Sequence, residues 1–324
     1  MFIGTFNSCD KKYLNREESN IPAMPTTLFL DKPEGLSSNK VLQTIRKLYG
    51  YPKGGFVGTL DPLASGFLPI AIGKATKAIK YLENCQKEYE FRVDWSKKTS
   101  TGDSEGRTIK KSDLFPLETK IRSSLKTIQD LRTQTPPNYS AIKVNGKRAY
   151  KLAREGISFK IPERQIKIYD LTMINTNQSN LTDFYVKCSS GTYIRSLAES
   201  IADECNAICH VTKLRRTGFG KLDKKLISLD SLLTLMHIDN LKKELKPIDY
   251  IFDKEIKIEI DYNDVKLLLN GVKIPIKRSL LDNINAKDSK TGKIFIASYK
   301  RDFLAIGKLV KNEFYPKEVF DLSE

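Results

Sequence analysis

The 324-residue chain carries 55 lysines and arginines against 39 aspartates and glutamates, a formal net charge of +16 at pH 7, and 40% of its residues are hydrophobic. Apolar content at that level, spread along the chain, builds a core and excludes wholesale disorder. So large a positive excess suits a polyanionic partner, nucleic acid first among them. No run approaches the roughly 18 consecutive apolar residues that a membrane span needs. Met1 to Thr27 lacks the basic start and apolar run of a secretory signal, and Asp10, Glu17 and Glu18 speak against a transit peptide. Five scattered cysteines, Cys9, Cys85, Cys188, Cys205 and Cys209, read as reduced thiols of a cytoplasmic protein. Cys205, Cys209 and His210 invite a metal reading, but a structural zinc site takes about four well-spaced ligands. With only two histidines in the chain, no metal is expected.

In chain order, residues 1–26 read as a flexible tail, with Met24 just ahead of the first strand-like run, Thr27 to Leu30. Asp31-Lys32-Pro33-Glu34-Gly35 is a turn signal. Ser37 or Ser38 can then cap a helix whose apolar positions, Val41, Ile45 and Leu48, follow helical spacing. A glycine-rich loop is expected from Gly50 to Gly66, then a helix through Ala75, Ala78, Ile79 and Leu82. Tyr89 to Trp95 alternates as a strand. Gln134 to Gly156 opens on Pro136-Pro137 and carries Lys143, Lys147, Arg148, Lys151 and Arg154, a basic excursion suited to ordering on a ligand. Phe184 to Cys188 reads as a strand that turns through Ser189-Ser190-Gly191 into a helix with Ile194, Leu197, Ala198 and Ile201 on one face. From about Leu245 short alternating runs (Ile256–Ile260, Ile294–Ala297, Phe303–Ile306), punctuated by Asn270-Gly271 and Thr291-Gly292, predict a small β-rich module. Strands and helices mix without regular βαβ alternation, so the expected class is α+β, with domains at 27–245 and 246–324.

The segment that stands out chemically is Gly58-Thr59-Leu60-Asp61-Pro62-Leu63-Ala64-Ser65-Gly66. Aspartate before proline between glycines is first of all a turn residue. A carboxylate on a glycine-permitted loop can also approach a sugar or base closely, and a chain this basic can hold it ionised against an arginine or lysine.

Gly58-Thr59-Leu60-Asp61-Pro62 resembles the nucleophile motif of TruB-type tRNA pseudouridine synthases. Blocks similar to the same family follow in order: Phe29 to Ser38, Gly73 to Lys77, Lys87-Glu88-Tyr89, Gln134 to Pro137 with Tyr139 to Lys143, Gly191 to Leu197, and Leu214-Arg215-Arg216. The resemblance is firm over about 27–220; the C-terminal module, ending in Pro316 to Phe320, resembles a PUA-like RNA-binding domain. It implies a pseudouridine synthase fold with a mixed, mainly antiparallel sheet, flanking helices and the β-rich module. It also implies conversion of the T-arm uridine of tRNA, conventional position 55, to pseudouridine without a cofactor, by a monomer needing no protein partner. Asp61 becomes the nucleophile, paired with Arg195; Tyr89 and Tyr193 line the uracil pocket, one stacking and one exchanging a proton, and Leu214 closes it. Lys32 and Lys77 fall in matching motifs and are candidates for a structural role or for phosphate contact, and Lys143, Arg148 and Arg154 belong to an RNA clamp. The family pattern has a histidine two residues before the first glycine of the nucleophile motif, where this chain has Phe56; a phenyl ring can stack in the gap left by a flipped nucleotide but donates no hydrogen bond. A tRNA chaperone without turnover and a guide-RNA-dependent enzyme acting on ribosomal RNA are the alternatives.

Overall fold

The computed structural model describes residues 25–51, 53–178, 180–222, 224–235, 237–252, 257–277, 294–300 and 302–320. The expected N-terminal tail up to Met24 and the Thr291-Gly292 turn lie outside them, as does Ile256, the first residue of an expected strand.

Strand β1 (Thr26–Lys32) leads into helix α1 (Ser38–Tyr49), whose N-cap Ser37 accepts a hydrogen bond from the Lys40 amide and whose C-cap Gly50 takes the left-handed conformation. The glycine-rich stretch is more ordered than its composition suggests. It contains a short strand, β2 (Gly54–Phe56), and gives way at Ala64 to β3 (Ala64–Ile72). A 3₁₀ turn and one helical turn stand where a longer helix was expected, over Gly73–Leu82. Then come β4 (Lys87–Asp94), a ribbon of β5 (Lys97–Thr99) and β6 (Thr108–Lys111), and α2 (Glu118–Gln129). The basic excursion folds as a hairpin, β7 (Lys143–Val144) and β8 (Lys147–Arg148), followed by α3 (Ala149–Arg154). Long strands β9 (Ile168–Gln178) and β10 (Leu181–Cys188), helix α4 (Ile194–Glu204) and β11 (His210–Phe219) come next, then the two-residue strands β12 (Ile227–Ser228) and β13 (Lys246–Pro247).

Among the described residues nine strands form the main sheet, ordered β9-β10-β4-β11-β3-β1-β12, with β13 beside β1 and β2 beside β3. The β1–β12 and β3–β11 pairs are parallel and the others antiparallel. The sheet has two covered faces at one end and one at the other. Leu28 and Leu30 of β1, with Leu68, Ile70 and Ile72 of β3, pack into a cluster with α1, α2 and α4. The alternate residues Phe29, Phe67 and Ala71 pack on the reverse face with Phe219 and with Ile296, Phe303, Ile306 and Phe320. β3 therefore reads as one uninterrupted apolar run, as strands buried on both faces do, whereas β4 keeps its alternation because Glu90 and Arg92 face outward.

The C-terminal sheet is ordered β14 (Lys257–Glu259), β16 (Phe295–Tyr299), β17 (Asp302–Val310), β18 (Glu313–Val319) and β15 (Ile274–Pro275), with α5 (Tyr262–Leu269) packed on it. The chain stays in the main sheet past the expected boundary at 245: Lys246 and Pro247 pair with Thr27 and Thr26, and Ile248 and Ile251 join the reverse-face cluster.

Candidate active site

Asp61 sits on a loop between β2 and β3 that is pinned on both sides. Ahead of it, the Ser38 hydroxyl donates to the Leu60 carbonyl at 2.8 Å and accepts from the Leu60 amide at 2.9 Å. Behind it, the Pro62 carbonyl accepts from the Gly35 amide at 2.8 Å, and the Asp61 carbonyl from the Ala64 amide at 3.0 Å. Gly58 has φ +68°, and a Cβ there would lie 3.0 Å from Arg216 Nη1 and 3.3 Å from Lys87 Cε, so the position needs glycine both for backbone conformation and for space. A loop held at so many points aims its aspartate without spending binding energy on ordering it.

The carboxylate faces Arg195, the second residue of α4. Arg195 Nη2 lies 2.8 Å from Asp61 Oδ2, with the arginine side chain 5% exposed and the aspartate 38%. The same guanidinium donates to the Thr101 carbonyl at 2.8 Å and to the Tyr139 carbonyl at 3.0 Å, and Asp103 Oδ2 stands 3.5 Å from Nη1. One buried arginine thus joins the aspartate loop, the β5–β6 loop and the root of the basic hairpin. Charge-assisted bonds of this kind are the strong ones. Asp103 was not legible as a site residue, because Thr101-Gly102-Asp103 reads only as a turn.

Tyr89 is buried on β4 opposite Arg216 of β11, and burial pushes its hydroxyl up, with the Arg216 cation opposing. Tyr193 caps α4. Its amide donates to Gln134 Oε1 at 2.8 Å while Gln134 Nε2 returns a bond to its carbonyl at 3.1 Å, so Gln134 fixes the tyrosine backbone like a neighbouring strand. Arg164 lies over the Tyr193 ring, 5.9 Å from its centroid. Leu214 pairs in register with Ala64, close to the aspartate loop. It lines a groove of about 350 Å³ with Ser65, Phe91 and Glu34, a lining that does not include Asp61, Tyr89, Tyr193 or Arg195. Phe56, half-buried on β2, packs against the main core.

Lys32 and Lys77 take the structural one of their two expected roles. Lys32 is fully buried: it shares the inward face of β1 with Leu28 and Leu30, and its ammonium donates to the carbonyls of Pro33, Leu36 and Pro62 at 2.7, 2.5 and 3.4 Å. Burial drives its pKa down to about 8 against the pull of Asp61. A phosphate cannot reach it; it braces the aspartate loop. Lys77 is exposed, but its ammonium donates to the Val319 carbonyl at 2.8 Å and tethers the C-terminal sheet. On the basic hairpin, Lys143, Arg148 and Arg154 are exposed; Arg148 donates to the Ala141 carbonyl and Arg154 lies over the Tyr150 ring. The residues of the metal reading diverge. Cys205 contacts Ser124, Cys209 the Ala198 carbonyl, and His210 the Lys97 carbonyl. No helix among the described residues is long and apolar enough to cross a membrane.

The architecture is shared with solved structures. A chain of the Cbf5–Nop10–Gar1 complex superposes with a TM-score of 0.68 at 23% identity, over 94% of this chain and 91% of that one, a likeness of fold. Sequence relatives, rather than the fold alone, place the chain in the pseudouridylate synthase class. Within that class the chain belongs to the TruB family: the model of the TruB family pseudouridylate synthase N-terminal domain matches residues 46–194. The tRNA pseudouridine synthase B of Bartonella bacilliformis is 36% identical over 306 residues, 90% of this chain and 94% of the relative. That of Caulobacter vibrioides is 33% identical over 297 residues, 91% and 96%.

Proposed function

We propose that this protein is a cytoplasmic tRNA pseudouridine synthase that isomerises the T-arm uridine, conventional position 55, with Asp61 as the nucleophile. The observation that carries the reading is the Asp61–Arg195 pair at 2.8 Å on a pinned loop, in a chain whose full-length relatives bear the name tRNA pseudouridine synthase B. In the reaction the N1–C1′ bond of uridine breaks and a C5–C1′ bond forms. The C5 proton leaves and N1 gains one, so there is no net oxidation and no co-reactant. Asp61 attacks the flipped-out nucleotide, Arg195 holds it ionised and aimed, Tyr89 and Tyr193 flank the uracil, and Leu214 bounds it.

Extruding a stacked base costs on the order of a few kcal/mol. Phosphate contacts from the basic hairpin and the PUA-like C-terminal module meet that cost, with Phe56 filling the vacated stack. Enzymes that act on bases within folded RNA bind them extruded, and the phosphate contacts position while the loop specifies. The protein works as a monomer without a guide RNA or protein partner. The test is incubation of the purified chain with a bare T-arm stem-loop and mapping of pseudouridine. Modification at the single expected uridine is the predicted result; a requirement for added proteins or guide RNA would contradict it.

A further inference from the structure

The ribbon of β5 and β6 carries more positive charge than its packing accounts for. Lys97 stands directly opposite Lys111, and Lys98 opposite Lys110. Arg107 is exposed just ahead of β6. Like charges facing each other across two strands repel and weaken the pairing. Lys98 has a carboxylate near it, that of Glu199 on α4 at 3.5 Å. Among the described residues no carboxylate forms an ion pair with Lys97, Lys110, Lys111 or Arg107. The loop between the strands holds two acids, Asp103 and Glu105. Asp103 is buried and committed to Thr101 and Arg195.

The ribbon cannot relieve the repulsion by splaying, because it is pinned along its length. At its base the Ser112 amide donates to the Ser96 carbonyl at 2.9 Å, and at its loop the Ser100 amide donates to the Arg107 carbonyl at 2.9 Å. The loop is stitched to β11 in turn: the Val211 amide donates to the Gly102 carbonyl at 3.0 Å and the Ser104 amide to the Val211 carbonyl at 3.1 Å. All four residues of β6 face solvent. A local rule is broken in this way at functional sites, and fixed, exposed cations without anions complement a polyanion.

The ribbon's place beside the site says which polyanion. Arg195 donates through Nη1 to the Thr101 carbonyl in the ribbon loop, and through Nη2 to the Tyr139 carbonyl at the root of the basic hairpin. Both basic elements therefore abut the guanidinium that holds Asp61. Lys98 is three residues from Thr101, no more than about 10 Å of extended chain. An RNA seated on Asp61 passes within reach of both.

We infer that the β5–β6 ribbon is a second phosphate-binding site of the catalytic domain, where Lys97, Lys110 and Lys111 grip the sugar–phosphate backbone of the RNA whose uridine lies at Asp61. The inference rests on the tRNA reading above. Such contacts seat the RNA without reading its bases, so the ribbon sets affinity and not the choice of uridine.

The test measures the Kd of the full chain for an unmodified T-arm stem-loop across a range of salt concentrations, beside the thermal unfolding midpoint. Replacing Lys97, Lys110 and Lys111 together with glutamine is expected to raise Kd roughly 10- to 100-fold near 0.1 M salt. The slope of log Kd against log salt should flatten by about two to three units. The unfolding midpoint should equal or exceed that of wild type, because cross-strand repulsion is relieved. Replacing the same three lysines with arginine keeps the charge and should keep the wild-type slope. An unchanged slope in the glutamine variant overturns the assignment and leaves the ribbon, with its exposed Ile109, to a protein partner. A lower midpoint with an unchanged slope does the same, since the lysines would then serve the fold alone. Should the triple variant fail to fold, Lys110→Gln and Lys111→Gln are measured singly, each expected to flatten the slope by about one unit. Wild type decides the underlying reading separately: if it does not bind the stem-loop, the tRNA reading fails, whereas salt-dependent wild-type binding beside an unchanged slope in the variant removes the ribbon site alone.

Discussion

Lys32 and Arg216 look like surface cations in the linear sequence, and both are buried. The strand period explains why. Lys32 keeps step with Leu28 and Leu30 on β1, and Arg216 with Leu214 on β11, so each points into the core its apolar partners build. The period was there to be read; charge composition pulled the reading toward solvent. Burial has a measurable consequence at Lys32. Its folded pKa, about 8, lies below its ordinary 10.5. Between those values the unfolded chain holds the proton and the folded chain does not, so this lysine's contribution to stability rises with pH. Below pH 8 both states hold the proton and the full charge-burial penalty applies. Urea unfolding should therefore show the stability of Lys32→Met relative to wild type falling as pH is raised from about 7 to about 10; a constant difference would place the ammonium in solvent.

Phe56 poses a second question at this scale. Half-buried against the main core, it can stack in the gap left by a flipped nucleotide. Phe56→Ala is expected to slow turnover on the stem-loop more than Phe56→His, because histidine restores an aromatic surface. Equal rates in wild type and Phe56→Ala would remove the stacking role.

Asp61 and Arg195 lie far apart in sequence, and spacing alone offers no reason to pair them; the motif resemblance did. Their setting, by contrast, was not legible. The Ser38 clasp on Leu60, the Gln134 bridge to Tyr193 and the Asp103 contact are contacts between distant loops, and no local pattern encodes those.

Elements were legible where one face meets water. β4 and α1 show their periods plainly, and α4 shows its buried face through Ile194, Leu197, Ala198 and Ile201. Only the first three residues of β3 fall in the expected loop and no element is expected over the rest, since burial on both faces erases alternation, and Gly66 and Pro69 read as breakers. Gly66 is in fact a close-packing site: a Cβ there would come within 2.3 Å of the Arg216 carbonyl on the neighbouring parallel strand. The basic excursion is a defined hairpin rather than an irregular loop, turned through Asn145 and Gly146, both with positive φ. Its cations stand outward, fitting a grip on phosphate. Replacing Lys143, Arg148 and Arg154 together with glutamine should flatten the dependence of log Kd for tRNA on log salt by about two to three units, close to one per lost contact. An unchanged slope would free the hairpin from the RNA.

The whole molecule is tied together by the reverse-face cluster. Phe29 and Phe67 of the main sheet pack with Phe303 and Phe320 of the C-terminal sheet; Phe29 and Phe67 meet edge-on at 5.4 Å, Phe303 and Phe320 at 4.9 Å. Lys77 adds its bond to Val319, and Lys80 an ion pair to Glu318. With that much apolar surface shared, the two sheets should unfold in one cooperative transition, and Phe303→Ala should lower the stability of the whole by about 3–5 kcal/mol. Calorimetry resolving two transitions, with only the smaller one moved by Phe303→Ala, would contradict this. The coupling also explains why the expected domain boundary fell short: the chain leaves the main sheet only after β13 and the following turn at Ile248–Ile251.

The central claim is that the carboxylate held by Arg195 performs the reaction. It is tested most directly by assaying Asp61→Asn, which is close to isosteric and keeps the loop, for pseudouridine in the T arm alongside its Kd for the same tRNA. The account predicts no detectable product with affinity near wild type. Product formed at the wild-type rate would contradict it.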